Sequence, residues 1–409
     1  MNIKRFSKIL AVVLAFVLCF AMAMPAFAAG TIYTGMTGDA DSFKTTFDKY
    51  LVMDKGASVP AAEFTFTIAP GKGATAGNGT VAILPGVMTP TVGKAVFASN
   101  TGTNTTLQTG DEVTFNSATQ KYAKQLVTVD FTGVQFTEPG IYRYVISENS
   151  CSVKGIVIDA NPRYLDVYVE DATGIDGVKK LTIAGYVLHT VANASVAAGT
   201  GMGAAESQTY VKSKGFTNQY IAHDLTFSKA VDGNQASRDK YFAFTVKIEG
   251  ALPTTSYNVN INNADAISGT NSATIAANAG KTNATAITTD GNGNAEVTFY
   301  LQHGQSITIE GLTDGTVWTI TENEEDYKAS VSVNKGTSTD ANHATSDNAA
   351  TVEVKEGITA DTTVDFTNSR AGVVPTGVFL TVAPFAIILF VGIAGVAMVL
   401  LKKKRAYAE

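Results

Sequence analysis

The chain reads as an all-β protein built from two β-sandwich domains in tandem, and three observations predict this. It is 45% hydrophobic but only 16% charged, with Thr, Val, Ala, Asn and Gly prominent. β-branched residues suit pleated strands, while Gly and Asn suit turns. Short runs with period-two alternation recur along the chain with turn signals between them. The same order of strands is written twice, the mark of an internal duplication. The domains this predicts span residues 31–220 and 221–370, each an Ig-like sandwich.

The N-terminus is a processing segment. Lys4, Arg5 and Lys8 form a basic region, Ile9 to Met24 an apolar one, and Ala26-Phe27-Ala28 a small-x-small cleavage site. This pattern predicts a signal peptide over residues 1–28, cut after Ala28 or Ala29. Cys19 leaves with it, so the mature chain keeps only Cys151 and forms no intramolecular disulfide.

The duplication begins with a strand carrying a central lysine: Thr45 to Leu51 around Lys49, then Leu225 to Val231 around Lys229. An aromatic strand follows, Phe64 to Ile68 and later Phe242 to Val246. A third strand ends in glutamate, Tyr142 to Glu148 and then Trp318 to Glu322. Each unit closes on Phe-Thr-Asn, at Phe216 to Asn218 and Phe366 to Asn368.

Parity within these strands carries the chemical message, because side chains at i and i+2 share a face. Lys49 goes with Phe47 and Leu51, and Lys229 with Phe227 and Val231. Glu148 goes with Ile146 and Tyr144, and Glu322 with Ile320 and Trp318. Asn218 follows Phe216, and Asn368 follows Phe366 and Val364. All six polar residues are therefore expected to point into the core. Burying a lysine or a carboxylate is costly, and such groups tend to neutralise instead of staying charged.

At the C-terminus stands Val373-Val374-Pro375-Thr376-Gly377, followed by an uncharged run from Val378 to Leu401. That run is long enough to span a bilayer core, which needs about 20 apolar residues. Lys402, Lys403, Lys404 and Arg405 then place the tail, residues 402–409, on the cytoplasmic side. The pentad resembles the LPxTG-type sorting signal of Gram-positive surface proteins. That resemblance implies that a sortase transpeptidase cuts between Thr376 and Gly377 and joins the Thr376 carbonyl to an amine. The whole sorting signal is residues 373–409, and the membrane holds only the precursor.

The two units resemble the Ig-like, CnaB-type domains of Gram-positive pilins, and the chain as a whole is similar to the two-domain streptococcal pilus backbone subunits. The residues that carry this are the Lys, Glu and Asn strands, the stretch Phe299 to Glu322, and the Val-Pro-Thr-Gly tail with its following Thr-Val-Ala-Pro. The resemblance implies two autocatalytic isopeptide bonds, Lys49–Asn218 promoted by Glu148 and Lys229–Asn368 promoted by Glu322. It also implies a structural shaft subunit and no enzyme activity beyond this self-reaction. The partners implied are sortase, further copies of the chain, minor pilins and cell-wall peptidoglycan, and a host-surface ligand stays open. The acceptor amine on the neighbouring subunit corresponds to Lys212 or Lys214. A singly anchored wall adhesin would share the same signals, so that alternative remains at this point.

Other signals point nowhere specific. A net charge of −6 argues against nucleic acid, which calls for a basic stripe. Asp290 to Glu296 has alternating oxygen ligands but no glutamate at the twelfth position of a calcium loop, and its Asn-Gly steps suit hairpins. Gly71-Lys72-Gly73 lacks the order of a phosphate loop, and the four histidines form no catalytic constellation. No metal or cofactor is expected. Ala194 to Ala205 reads as a flexible surface loop, and Thr337 to Ala350 is similarly polar.

Overall fold

A computed structural model describes residues 33–76, 80–192, 211–263, 272–347 and 351–372. Among these the regular structure is almost all strand, with one short helix, Ser272–Asn278. The predicted alternation is visible as burial. Every second residue of Thr362–Ser369 is buried, and Ala222–Asp232 keeps the same period from Leu225 onward.

Two large sheets and a small two-stranded one form from residues 44–220. One runs Ile156–Val157, Gly215–Tyr220, Lys44–Asp54, Gln120–Asp130 and Thr91–Val92, with Thr103–Asn104 also on Gln120–Asp130. The other runs Leu181–His189, Arg163–Asp171, Gly140–Glu148 and Phe66–Pro70, with Ile83–Pro85 also on Gly140–Glu148. Residues 222–369 repeat the plan. A seven-stranded sheet runs Ala286–Thr288, Ser256–Asn262, Ser306–Thr313, Ala222–Asp232, Thr362–Ser369, Lys328–Lys335 and Ser338–Asp347. A four-stranded sheet runs Ala295–Leu301, Phe242–Glu249, Val317–Asn323 and Thr351–Gly357. No described strand of one half pairs with a strand of the other.

In both halves the lysine strand lies parallel to the asparagine strand within one sheet, and the glutamate strand lies in the other. The register is the same: Lys49 pairs with Phe216 and Leu51 with Asn218, while Lys229 pairs with Phe366 and Val231 with Asn368. Equivalent aromatic rings fill the space between the sheets. Phe47 meets Phe66 at 5.0 Å and Phe216 at 5.5 Å; Phe244 meets Phe227 at 5.6 Å and Phe366 at 5.2 Å. Each buried ring contributes about 1.5–3 kcal/mol. The apolar packing therefore sustains a few costly polar groups at its centre.

The halves touch. Gly311 has φ 71°, and a Cβ there would sit 2.5 Å from the Ala57 Cα, so both conformation and space require glycine. The hydroxyls of Tyr220 and Thr313 share a buried hydrogen bond of 2.7 Å.

Three details differ from the sequence reading. The run Phe64 to Ile68 is two strands, because Ala62–Phe64 pairs with Ala95–Phe97 and Phe66–Pro70 joins the glutamate strand. The polar stretch Ser338–Asp347 is a strand paired to Lys328–Lys335; backbone bonding holds it without an apolar face of its own. The lysine strand is buried on both faces, since Tyr50 and Val52 pack with Val113 and Tyr122 in a separate small cluster. The expected signal peptide, the loop Ala194 to Ala205 and the sorting signal lie outside the described residues. Among the described residues no helix is long and apolar enough to cross a membrane.

Candidate functional site

The shared register brings the predicted polar residues together as two clusters, one between each pair of sheets. In the first, the Lys49 amine donates to Glu148 Oε2 at 2.8 Å, and both side chains are fully buried. The Asn218 amide nitrogen donates to Glu148 Oε1 at 2.6 Å. The lysine nitrogen sits 4.9 Å from the centre of the Phe64 ring. In the second cluster, Lys229 and Asn368 both donate to Glu322 Oε1, at 2.5 Å and 2.9 Å. Here the lysine nitrogen lies 4.4 Å from the Phe242 ring centre.

Burial acts on these groups in opposite directions. Desolvation lowers Lys49 to about 8 and Lys229 to about 8, against the pull of the neighbouring glutamates. Desolvation also raises Glu148 and Glu322, against the pull of the lysines. The acid and the amine thus approach one another in proton affinity. Moving the proton from ammonium to carboxylate leaves a neutral amine beside a neutral acid, and only the neutral amine is a nucleophile.

One carboxyl group therefore contacts both the attacking nitrogen and the nitrogen that would leave. That arrangement suits transamidation: the lysine nitrogen adds to the asparagine side-chain carbonyl carbon, and the carboxyl carries a proton to the departing ammonia. In both clusters the acid meets the asparagine amide nitrogen and not its carbonyl oxygen.

The carbonyl oxygens have different surroundings. Asn218 Oδ1 accepts the backbone N–H of Asp159 at 2.8 Å. Asn368 Oδ1 has no hydrogen-bond partner among the described residues, nor does Glu322 Oε2. Parity in the sequence locates the six polar side chains but is silent about a backbone donor. It could have found Glu324, which is two residues from Glu322 and fully buried.

Lys212 and Lys214 stand apart from both clusters. They are exposed and, with Ser213, line part of a cavity of about 400 Å³ beside the start of the asparagine strand. Thr45, Phe47, Tyr186 and Leu188 line its other walls.

Residues 45–221 match the family described as Spy0128-like isopeptide containing domain. Residues 223–370 match a domain of unknown function, DUF7601. Over 389 residues the chain is 24% identical to a pilin from Streptococcus pyogenes serotype M1, spanning 94% of this chain and 97% of that relative. A second relative, the pilus tip adhesin Cpa of Streptococcus pyogenes, is 33% identical over 159 residues, which is 38% of this chain and 18% of the adhesin. The crystal structure of a mutant major pilin from Streptococcus pyogenes shares the fold, with TM-score 0.51 at 20% identity over 80% of this chain and 99% of that one. The likeness to a pilin thus extends over nearly the whole chain.

Proposed function

We infer that the protein is a structural shaft subunit of a covalent Gram-positive surface pilus. The observation that carries this is the pair of buried Lys–Glu–Asn clusters, set at one register in a chain that resembles a pilin from end to end. Residues 31–220 and 221–370 are two CnaB-type Ig-like domains, each closed by its own crosslink. In each, the neutral lysine nitrogen attacks the asparagine Cγ. A new C–N bond forms, the old one breaks, and ammonia leaves with the proton delivered by Glu148 or Glu322.

The exported chain loses residues 1–28. It is held at the membrane by residues 378–401 until sortase acts on Val373-Val374-Pro375-Thr376-Gly377. The Thr376 acyl group then passes to Lys212 or Lys214 of the next copy, whose exposure beside an open cavity supports that role. The finished polymer joins minor pilins and peptidoglycan at the cell wall.

Two measurements test this. Residues 31–370 should weigh less than their sequence by two ammonia molecules, about 17 Da each; an unchanged mass would falsify the crosslinks. In cells, replacing Lys212 and Lys214 by Arg keeps the charge but removes the nucleophile. That double variant should lose the detergent-resistant ladder of polymers yet still reach the wall. A wild type that never forms a ladder would be a singly anchored surface protein, and the shaft reading would fail.

A further inference from the structure

The two crosslinking sites use the same side chains but differ at the asparagine carbonyl, the atom on which negative charge develops during attack. In the first half the edge strand Ile156–Val157 pairs with the asparagine strand for only two residues, Ile156 with Tyr220 and Val157 with Gln219. The chain then leaves the ladder. The N–H of Asp159 is thereby freed from strand pairing and donates to Asn218 Oδ1 at 2.8 Å.

Arg163 holds this turn in place. Its guanidinium donates to the Asp159 carboxylate at 2.5 Å, to the Asn161 carbonyl at 2.7 Å and to the Gly215 carbonyl at 2.8 Å. It also stacks over Phe216 at 4.7 Å, beside the reacting asparagine. In the second half the corresponding neighbour is the long strand Lys328–Lys335, which pairs with the asparagine strand without interruption. Its backbone groups are taken up by the ladder, and Asn368 Oδ1 has no donor among the described residues.

Resting on the transamidation reading above, we propose that the Asp159 backbone N–H is an oxyanion donor for the first crosslink, positioned by Arg163, and that the second crosslink forms without one. As the Lys49 nitrogen adds to Asn218 Cγ, the C=O electrons move onto Oδ1 and the N–H stabilises them. The electrons return as the C–Nδ2 bond breaks and ammonia departs. A donor fixed in a dry site acts strongly because it needs no reorganisation when charge appears.

The test uses the full chain made by cell-free synthesis in detergent, with peptide mapping by mass spectrometry assigning each lost ammonia over time. Asp159→Pro removes the N–H and should slow the Lys49–Asn218 crosslink about 100-fold, leaving the Lys229–Asn368 rate unchanged as an internal control. Arg163→Gln should slow the first crosslink about tenfold, and Arg163→Lys should recover part of that loss. In the unreacted Lys49→Ala chain, nuclear magnetic resonance should detect a through-hydrogen-bond coupling from the Asp159 amide to the Asn218 side-chain carbonyl. That coupling keeps the proposal testable even where the proline variant fails to fold. A folded Asp159→Pro chain crosslinking at the wild-type rate, or absence of the coupling, overturns the proposal. If the wild type forms neither crosslink, the transamidation reading itself has failed.

Discussion

The first and second halves of this chain solve one problem with the same three side chains and different backbones. Lys49 and Lys229 face equivalent aromatic rings, their glutamates lie across the same gap, and their asparagines sit at the same register. Yet Asn218 gains a donor from an edge strand that stops short, while Asn368 lies beside a strand that does not. The lesson is that duplication preserves what side-chain identity and parity dictate. Loop and edge geometry is free to diverge, and under the proposal above it sets how well each site stabilises charge.

The sharpest way to break the comparison is to remove the carboxyl groups. Glu148→Ala should restore one ammonia to the intact mass and Glu322→Ala the other, each without affecting its counterpart. Loss of both crosslinks from either single variant would show that the sites are not independent.

The next largest effect is on stability. A crosslink between first and last strands closes a loop of more than about 100 residues, which the chain-entropy account values at roughly 4–5 kcal/mol. Lys229→Ala should therefore lower the melting temperature of the second half and expose it to protease while the first half resists. Lys49→Ala should do the reverse. Equal protease resistance of either variant and the wild type would rule out a stabilising crosslink in that half.

A smaller effect appears with pH in chains that cannot react. In Asn368→Ala, Lys229 keeps its amine, with a folded value of about 8 against 10.5 for an ordinary lysine. Between those values the unfolded chain binds more protons, so stability should rise with pH from about 8 to 10.5. Glu322 works the other way: its raised folded value makes stability fall as pH rises above 4.5. In the crosslinked wild type the amide nitrogen no longer titrates, so the alkaline rise from this lysine should vanish. Denaturant melts at pH 8 and pH 10 would reveal the difference.

The smallest effect lies where the halves meet. Tyr220→Phe removes the hydrogen bond to Thr313 and should cost about 1 kcal/mol, read as a small shift of the denaturation midpoint with both crosslinks intact.

Much of the site was legible because alternation with period two is a strong constraint. Once Phe47 and Leu51 are inside, Lys49 has to be inside as well, and the same logic fixes the other five residues. Strand pairing over long distance was less legible. Nothing in Phe64 to Ile68 says that Thr65 leaves the strand, because that break depends on where Ala95–Phe97 lies. Ser338–Asp347 lacks an apolar face, so its strand character comes from the backbone of its neighbour. The Asp159 donor was invisible for a deeper reason: every residue except proline carries a backbone N–H, so no residue type announces it.

The parallel pairing of the lysine and asparagine strands has a mechanical consequence. In a polymer joined through Lys212 or Lys214 and Thr376, as proposed above, a pull enters just before the asparagine strand of the first half and leaves just after that of the second. It follows the short stretch from Asn218 to Lys229 and, with the second bond formed, crosses directly to Asn368 and exits. The segment from Lys229 to Asn368 is bypassed, and the first half before Lys212 lies off the path altogether. A fibre of such subunits would behave as an inextensible covalent cord, with the folded sandwiches hung along it as sheltered, unloaded surface.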